Sequence, residues 1–171
     1  VAKNSKSQKY LVEQLQSHSI SREYSAIVYG YMISGGSIEE PIGRDPKDRV
    51  KQAIVSNGKA AITHIRVIDR FKSHTHVKAI LETGRTHQIR VHLSHMGHSL
   101  IGDPMYGGRV RFPKKACEDL KESLINFKRQ ALHSKTLTLT HPVSGEKMTW
   151  KSKLPDDMTK LLKVLTEFDS G

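Results

Sequence analysis

The chain has 171 residues, enough for one domain or a large part of one, and carries a formal net charge of +11 from 28 Lys and Arg against 17 Asp and Glu. Its one cysteine, Cys117, excludes an internal disulfide and fits a reducing, cytoplasmic setting. No apolar run approaches the ~20 residues that span a bilayer, and the opening Val-Ala-Lys-Asn lacks the apolar segment of a secretory signal.

A cationic excess of this size points to a polyanionic partner, because each Lys or Arg that meets a phosphate releases condensed counterions. Nucleic acid is the expected partner, with a membrane surface as the competing reading of charge alone.

Residues 5–18 read as a helix, with Leu11 and Leu15 four apart among Lys, Gln and Glu. The β-branched and aromatic run at 22–32 reads as a strand ended by Gly35-Gly36. Residues 41–49, dense in Pro, Gly and charge, read as a loop. Asn57-Gly58 predicts a hairpin between strands at 53–55 and 61–68, since both residues accept positive φ. A further strand is expected over 76–82. The spacing of Ile89, Leu93 and Met96 predicts a helix over 86–96, with Gly97 as its left-handed cap. After a turn at 102–108 come a helix at 116–128 and strands at 131–139 and 146–151. A last helix opens at Pro155, with Asp156 and Asp157 in its first turn and Met158, Leu161, Leu162, Leu165 and Phe168 on its apolar face. The pattern is α+β, a mainly antiparallel mixed sheet with packed helices and no internal repeat.

The densest polar cluster is Glu82-Thr-Gly-Arg-Thr-His-Gln-Ile-Arg-Val-His92. There a strand runs through a glycine into a helix N-terminus, with Arg85 at the junction, an arrangement suited to an anion. Arg90 falls next to the buried Ile89 side, where a guanidinium needs a carboxylate or a phosphate. A solvated helix with ordinary surface charges is the other reading. His92, His95 and His98 recur every three residues and invite a metal, but positions at that spacing turn by about 300° per step and Gly97 stops the helix before His98. Cys117 is not placed as a zinc partner, so no metal site is expected. Tyr24 shares a strand face with Ala26 and Val28; it is either a core tyrosine or one that stacks on a base at the rim of a cleft. Leu132 alone reads as core. No phosphate-binding glycine loop and no nucleophile elbow occurs, which argues against nucleotide-cofactor enzymes and serine hydrolases.

Gly84-Arg-Thr-His-Gln-Ile-Arg-Val-His92, followed by Gly102-Asp-Pro-Met-Tyr-Gly107, resembles the signature of the RluA family of pseudouridine synthases. Arg22-Glu-Tyr24, Lys59–His64, Leu132-His133, His141-Pro142 and Gly145 follow in the family's order, and Phe127 through Met158 is most similar to a branch acting on large-subunit ribosomal RNA. The resemblance implies a pseudouridine synthase fold that isomerises uridine in RNA without cofactor or metal. It implies that Tyr24 stacks on the flipped base and helps remove the C5 proton, that Arg90 pairs with a catalytic aspartate, and that Leu132 packs beside the base. Arg85, His87 and Gln88 are expected to contact the substrate.

The family's aspartate stands in a His-Arg-Leu-Asp motif, and these 171 residues contain none. None of Asp45, Asp48, Asp69 or Asp103 has the context to replace it. The expectation is that residues 1–171 are the C-terminal portion of the catalytic domain, with residue 1 a truncation or processing point. The first strands, the aspartate and an S4-like RNA-binding domain would lie upstream. Such a piece is expected to be inactive alone, and to self-associate through an open sheet edge unless the upstream part covers it. The alternative is a catalytically silent RNA-binding module.

Overall fold

A computed structural model describes residues 1–170. Its centre is a six-stranded antiparallel sheet in the order β2-β5-β6-β1-β7-β8. The strands are β1 (Ser21–Tyr29), β2 (Gly36–Glu39), β5 (Ile62–Phe71), β6 (His74–Leu81), β7 (Leu132–Thr140) and β8 (Lys147–Lys151), and a separate ribbon pairs β3 (Ile42–Arg44) with β4 (Gln52–Ile54). Helices α1 (Ser5–Gln16), α2 (Gln88–His95), α3 (Glu118–Asn126) and α4 (Asp156–Ser170) complete the α+β fold expected from the sequence.

Strand β1 is buried on both sides, and its alternation divides the core. Ala26 and Val28 join Val77, Ala79, Ile65 and the α2 residues Ile89 and Leu93 on one face. Ile27 and Tyr29 join Leu120, Leu124, Met158, Leu161 and Leu165 of α3 and α4 on the other. The α4 face expected from spacing is therefore the one buried, with Leu162 and Phe168 at its margin.

Several local expectations are corrected. Strand β1 ends at Tyr29 rather than near residue 32, because Gly30 takes φ +89° and its amide turns to the Ser73 carbonyl. Residues 42–44 form a strand within the segment expected to be a loop. Asn57-Gly58 does not join paired strands: β4 pairs with β3, while β5 pairs with β2 and β6. Neither residue takes positive φ. Glycine is needed at 58 for closeness instead, since a Cβ there would lie 2.7 Å from the Ile42 carbonyl carbon. Helix α1 buries Ser7 and Gln14 and leaves Leu15 exposed, because the Gln14 amide clamps β7 by donating to the Thr140 carbonyl and accepting from the Thr140 amide, both at 2.8 Å. Met96 is exposed at the end of α2, whereas Gly97 caps the helix at φ +79° as expected.

One buried group gives the fold a pH dependence. His74, at 1 % exposure, has an Nε2 with no hydrogen-bond partner among the described residues. Burial, reinforced by the nearby Arg111 charge, pushes its imidazole down to about 4. The unfolded chain protonates this histidine near 6.5 while the folded chain resists, so the stabilisation is complete above that value and is lost as pH falls toward 4. We predict that urea denaturation shows on the order of 3 kcal/mol lost between pH 7 and pH 4 through this group. A His74→Phe variant should lose correspondingly less over the same range; an identical loss would remove His74 from the account.

Candidate active site

The segment from Thr83 to His92 leaves β6, crosses Gly84 and enters α2, and its side chains separate into three environments. Gln88 points inward. At 2 % exposure its Oε1 accepts from the Thr83 hydroxyl and the Arg85 amide, and its Nε2 donates to the Ile62 carbonyl and the Thr63 hydroxyl. A side-chain amide has about four such valences, so Gln88 is saturated and cannot meet a substrate. The expected contact is corrected: Gln88 is the bolt that joins the motif to β5. His92, fully buried, does the same, with Nε2 donating to the Glu40 carbonyl and Nδ1 accepting from Thr63. Burial lowers its pKa and keeps it neutral, and with both ring nitrogens occupied it has none left for a metal.

Arg90 takes the second environment. Its Nε and Nη2 donate to the two carboxylate oxygens of Asp103, both at 2.8 Å, and its guanidinium lies 4.8 Å from the centre of the Tyr106 ring. The carboxylate that a buried-side arginine requires is thus supplied by the turn after α2, within this chain. Asp103 has a fully buried side chain and is itself saturated, since Oδ1 also accepts from the Met105 and Tyr106 amides. Burial would raise its carboxyl, but the Arg90 bonds and the two amides outweigh that and hold it below the ordinary range. The turn sits this close because residue 102 is glycine at φ +68°, where a Cβ would strike the Arg129 carbonyl.

His87 completes this environment. It adopts φ 58° and ψ 18°, a left-handed conformation that costs a residue with a Cβ about 1–2 kcal/mol. That geometry turns its ring to the Tyr106 hydroxyl, 3.0 Å from Nδ1. Burial first, and the Arg90 charge second, lower its pKa. The Tyr106 hydroxyl also accepts from the Gln52 amide, which ties the β3–β4 ribbon to the same assembly.

The third environment belongs to the Arg85 side chain, whose Nε donates to the Ala60 carbonyl while Nη1 and Nη2 make no hydrogen bond to a described residue. Tyr24 and Leu132 are brought together. Tyr24 faces Ser134, and Leu132 faces Ala26 two pairs further along, so the two are diagonal neighbours on one face. Both are half-buried against the cluster that contains Ile89. Arg90, one residue on from Ile89, turns away toward Asp103.

Asp103 and Tyr106 stand in the Gly102–Gly107 segment of the signature, but their role as the partners of Arg90 is not legible there, because the segment reads as a turn and the acid that Arg90 demands is expected from an upstream motif. The other aspartates weighed earlier are also engaged locally. Asp45 accepts from the Lys47 and Asp48 amides, Asp48 from Val50, and Asp69 faces His76.

An Asp103→Asn substitution leaves the Arg90 cation, whose side chain is 12 % exposed, without its counter-ion. We predict a loss of about 3–5 kcal/mol in chemical denaturation, the cost of breaking a buried pair from one side. A loss below about 1 kcal/mol, as for a surface ion pair, would mean the pair does not hold the turn.

The profile of the RNA pseudouridylate synthase family matches residues 1–95, from the start of the chain through the end of α2. The chain is similar to ribosomal large subunit pseudouridine synthase D of Pseudomonas aeruginosa, 52% identical over 167 residues that cover 98% of this chain and 52% of that protein. It is similar to the Escherichia coli K12 protein of the same name, 49% identical over 165 residues covering 96% of this chain and 51% of that one. The chain therefore spans about half the length of these curated relatives. Among solved structures, human RNA pseudouridylate synthase domain containing 4 superposes with a TM-score of 0.72 at 24% identity, covering 95% of this chain and 69% of that one, which speaks to the fold. The chain belongs to the RNA pseudouridylate synthase family.

Proposed function

We propose that this chain forms the base-binding and positioning part of an enzyme that isomerises uridine to pseudouridine in RNA, with large-subunit ribosomal RNA as substrate. The observation that carries the reading is the pairing of Tyr24 with Leu132, an aromatic and an aliphatic side chain left half-exposed on adjacent strands beside a locked arginine motif. A base that is to be isomerised must leave its stack, and such a pair offers it a substitute for its stacking neighbours. The net charge of +11 supplies the attraction for the backbone. The names of the relatives, ribosomal large subunit pseudouridine synthase D, agree with the substrate class.

In this reaction the N1–C1′ bond breaks, the uracil turns, and C5 bonds to C1′; the C5 proton leaves and N1 gains one, so reactant and product are isomers. Tyr24 stacks on the turned base and helps to take the C5 proton. Leu132 packs on the base, Arg85 meets the RNA backbone, and His87 lies at the mouth of the site. The aspartate that attacks or assists at C1′ comes from a His-Arg-Leu-Asp segment outside these 171 residues. Two of the three Arg90 nitrogens are committed to Asp103, which leaves Nη1 as the group to meet that aspartate. Without the segment, these residues bind RNA and do not turn it over.

In the longer protein that carries this sequence, Tyr24→Phe should lower turnover by about 10²-fold or more, in the range of a lost proton-transfer group, while RNA affinity stays near wild type. Single-turnover pseudouridine formation and a binding titration measure the two separately. Unchanged turnover would refute the assignment of Tyr24 to proton removal.

A further inference from the structure

Arg22 is unexplained by the roles assigned so far. It stands two residues before Tyr24 on the same face of β1, about 7 Å along the strand. Its Nη2 donates to the Glu82 carbonyl at 3.1 Å, and its Nε is buried with no partner among the described residues. Its Nη1 rests over Gly84, where a Cβ would collide with it. Beside it, His18 uses Nδ1 on the same Glu82 carbonyl, at 2.7 Å. These side chains and Arg85 line a cavity of about 410 Å³ between α1 and the Gly84 turn. Among the described residues no carboxylate lines it, and the Glu82 carboxylate is held away by His64 at 2.5 Å. Arg85 is also a wall of a second cavity, of about 480 Å³, whose other cations are Arg44 and Lys59 and which likewise has no carboxylate among its described lining residues.

We infer that the first cavity is a phosphate seat, formed by Arg22, Arg85 and His18 on the floor of Gly84, and that it holds the backbone phosphate next to the nucleotide presented to Tyr24. Two guanidinium groups with open nitrogens, an imidazole and an absence of acid define an anion site. A phosphate diester of a polymer fits better than a free anion because the cationic lining continues across Arg85 into the second cavity. The spacing suits one nucleotide, since a base stacked on Tyr24 places a flanking phosphate a few ångströms along the strand, where Arg22 stands. The glycine at 84 is then required for the guanidinium to lie flat at the turn. The seat rests on the proposed uridine site for its register, and its test reads binding rather than turnover.

The experiment uses the longer protein carrying this sequence and single-stranded RNA oligonucleotides with a uridine target, each with one phosphate replaced by a neutral methylphosphonate. Affinity is measured by fluorescence anisotropy across a salt series. For the unmodified protein, one position next to the target should weaken binding by about 5-fold at ~0.1 M salt, the effect of one lost phosphate contact. In Arg22→Gln that position should become silent, and the salt slope should fall by about 0.7. Arg85→Gln, with a more exposed side chain, should give the same loss and guards against a folding defect in the first variant; Gly84→Ala should reproduce it by displacing Arg22. If every methylphosphonate costs Arg22→Gln and Arg85→Gln what it costs the unmodified protein, there is no such seat. If inorganic phosphate alone shifts the His18 resonances while no RNA position is special, the cavity binds a free anion and the backbone assignment is overturned. A silent Tyr24→Phe turnover result beside a positive methylphosphonate cycle would leave the seat standing and remove only the role of Tyr24.

Discussion

Two donors of Arg90 and two oxygens of Asp103 hold α2 against the turn at residues 102–107, and the rest of the site takes its position from that bond. A guanidinium cannot lose its charge inside a protein, so packing Arg90 beside Ile89 obliges the fold to bring an acid to it. The acid is placed by glycine at 102, whose φ of +68° and lack of a Cβ let the chain pass under the Arg129 carbonyl. Tyr106 follows, covering the guanidinium and accepting from His87 or donating to it across 3.0 Å. The left-handed strain at His87 is tolerated because Gln88, with four bonds of its own, fixes the residue after it.

This arrangement separates two tasks within one motif. Gln88, His92 and Asp103 are spent on structure, each buried and each with its polar atoms satisfied. Arg85, Tyr24 and Leu132 are spared from such duties and stay at the surface of the same assembly. The proposed site for a base and a charged backbone needs rigid neighbours behind it, because loosely held contact residues would surrender binding energy to their own ordering. The polar density of the motif is thus mostly scaffolding, and its exposed remainder is what is left for the proposed RNA contact.

Much of the fold was legible from local pattern. The β-branched run before Gly30 and the amphipathic face of α4 carry their period in sequence, a strand is readable where β6 lies, and Gly97 is a cap in both readings. What escaped was set by distant partners. Leu15 has the spacing of a buried residue, yet α1 docks through Gln14, whose amide finds Thr140 over a hundred positions away. Asn57-Gly58 has hairpin composition, but its glycine answers to the approach of Ile42. In the site, the need of Arg90 for an acid was readable, whereas its identity was hidden in a turn where aspartate already has an ordinary reason to occur. Gln88 was taken for a contact residue because nothing local distinguishes an amide that faces solvent from one that faces Thr63.

The central claim is that these residues recognise and hold RNA while the carboxylate for the chemistry comes from elsewhere in the protein. The direct measurement is pseudouridine content after incubating RNA with the 171-residue chain and, in parallel, with the longer protein that contains it, alongside RNA binding by both. The account predicts salt-dependent binding by both and pseudouridine from the longer protein alone. Pseudouridine formed by the 171 residues without help would place a competent carboxylate among them and contradict the assignment of Asp103 and its fellow aspartates to structure.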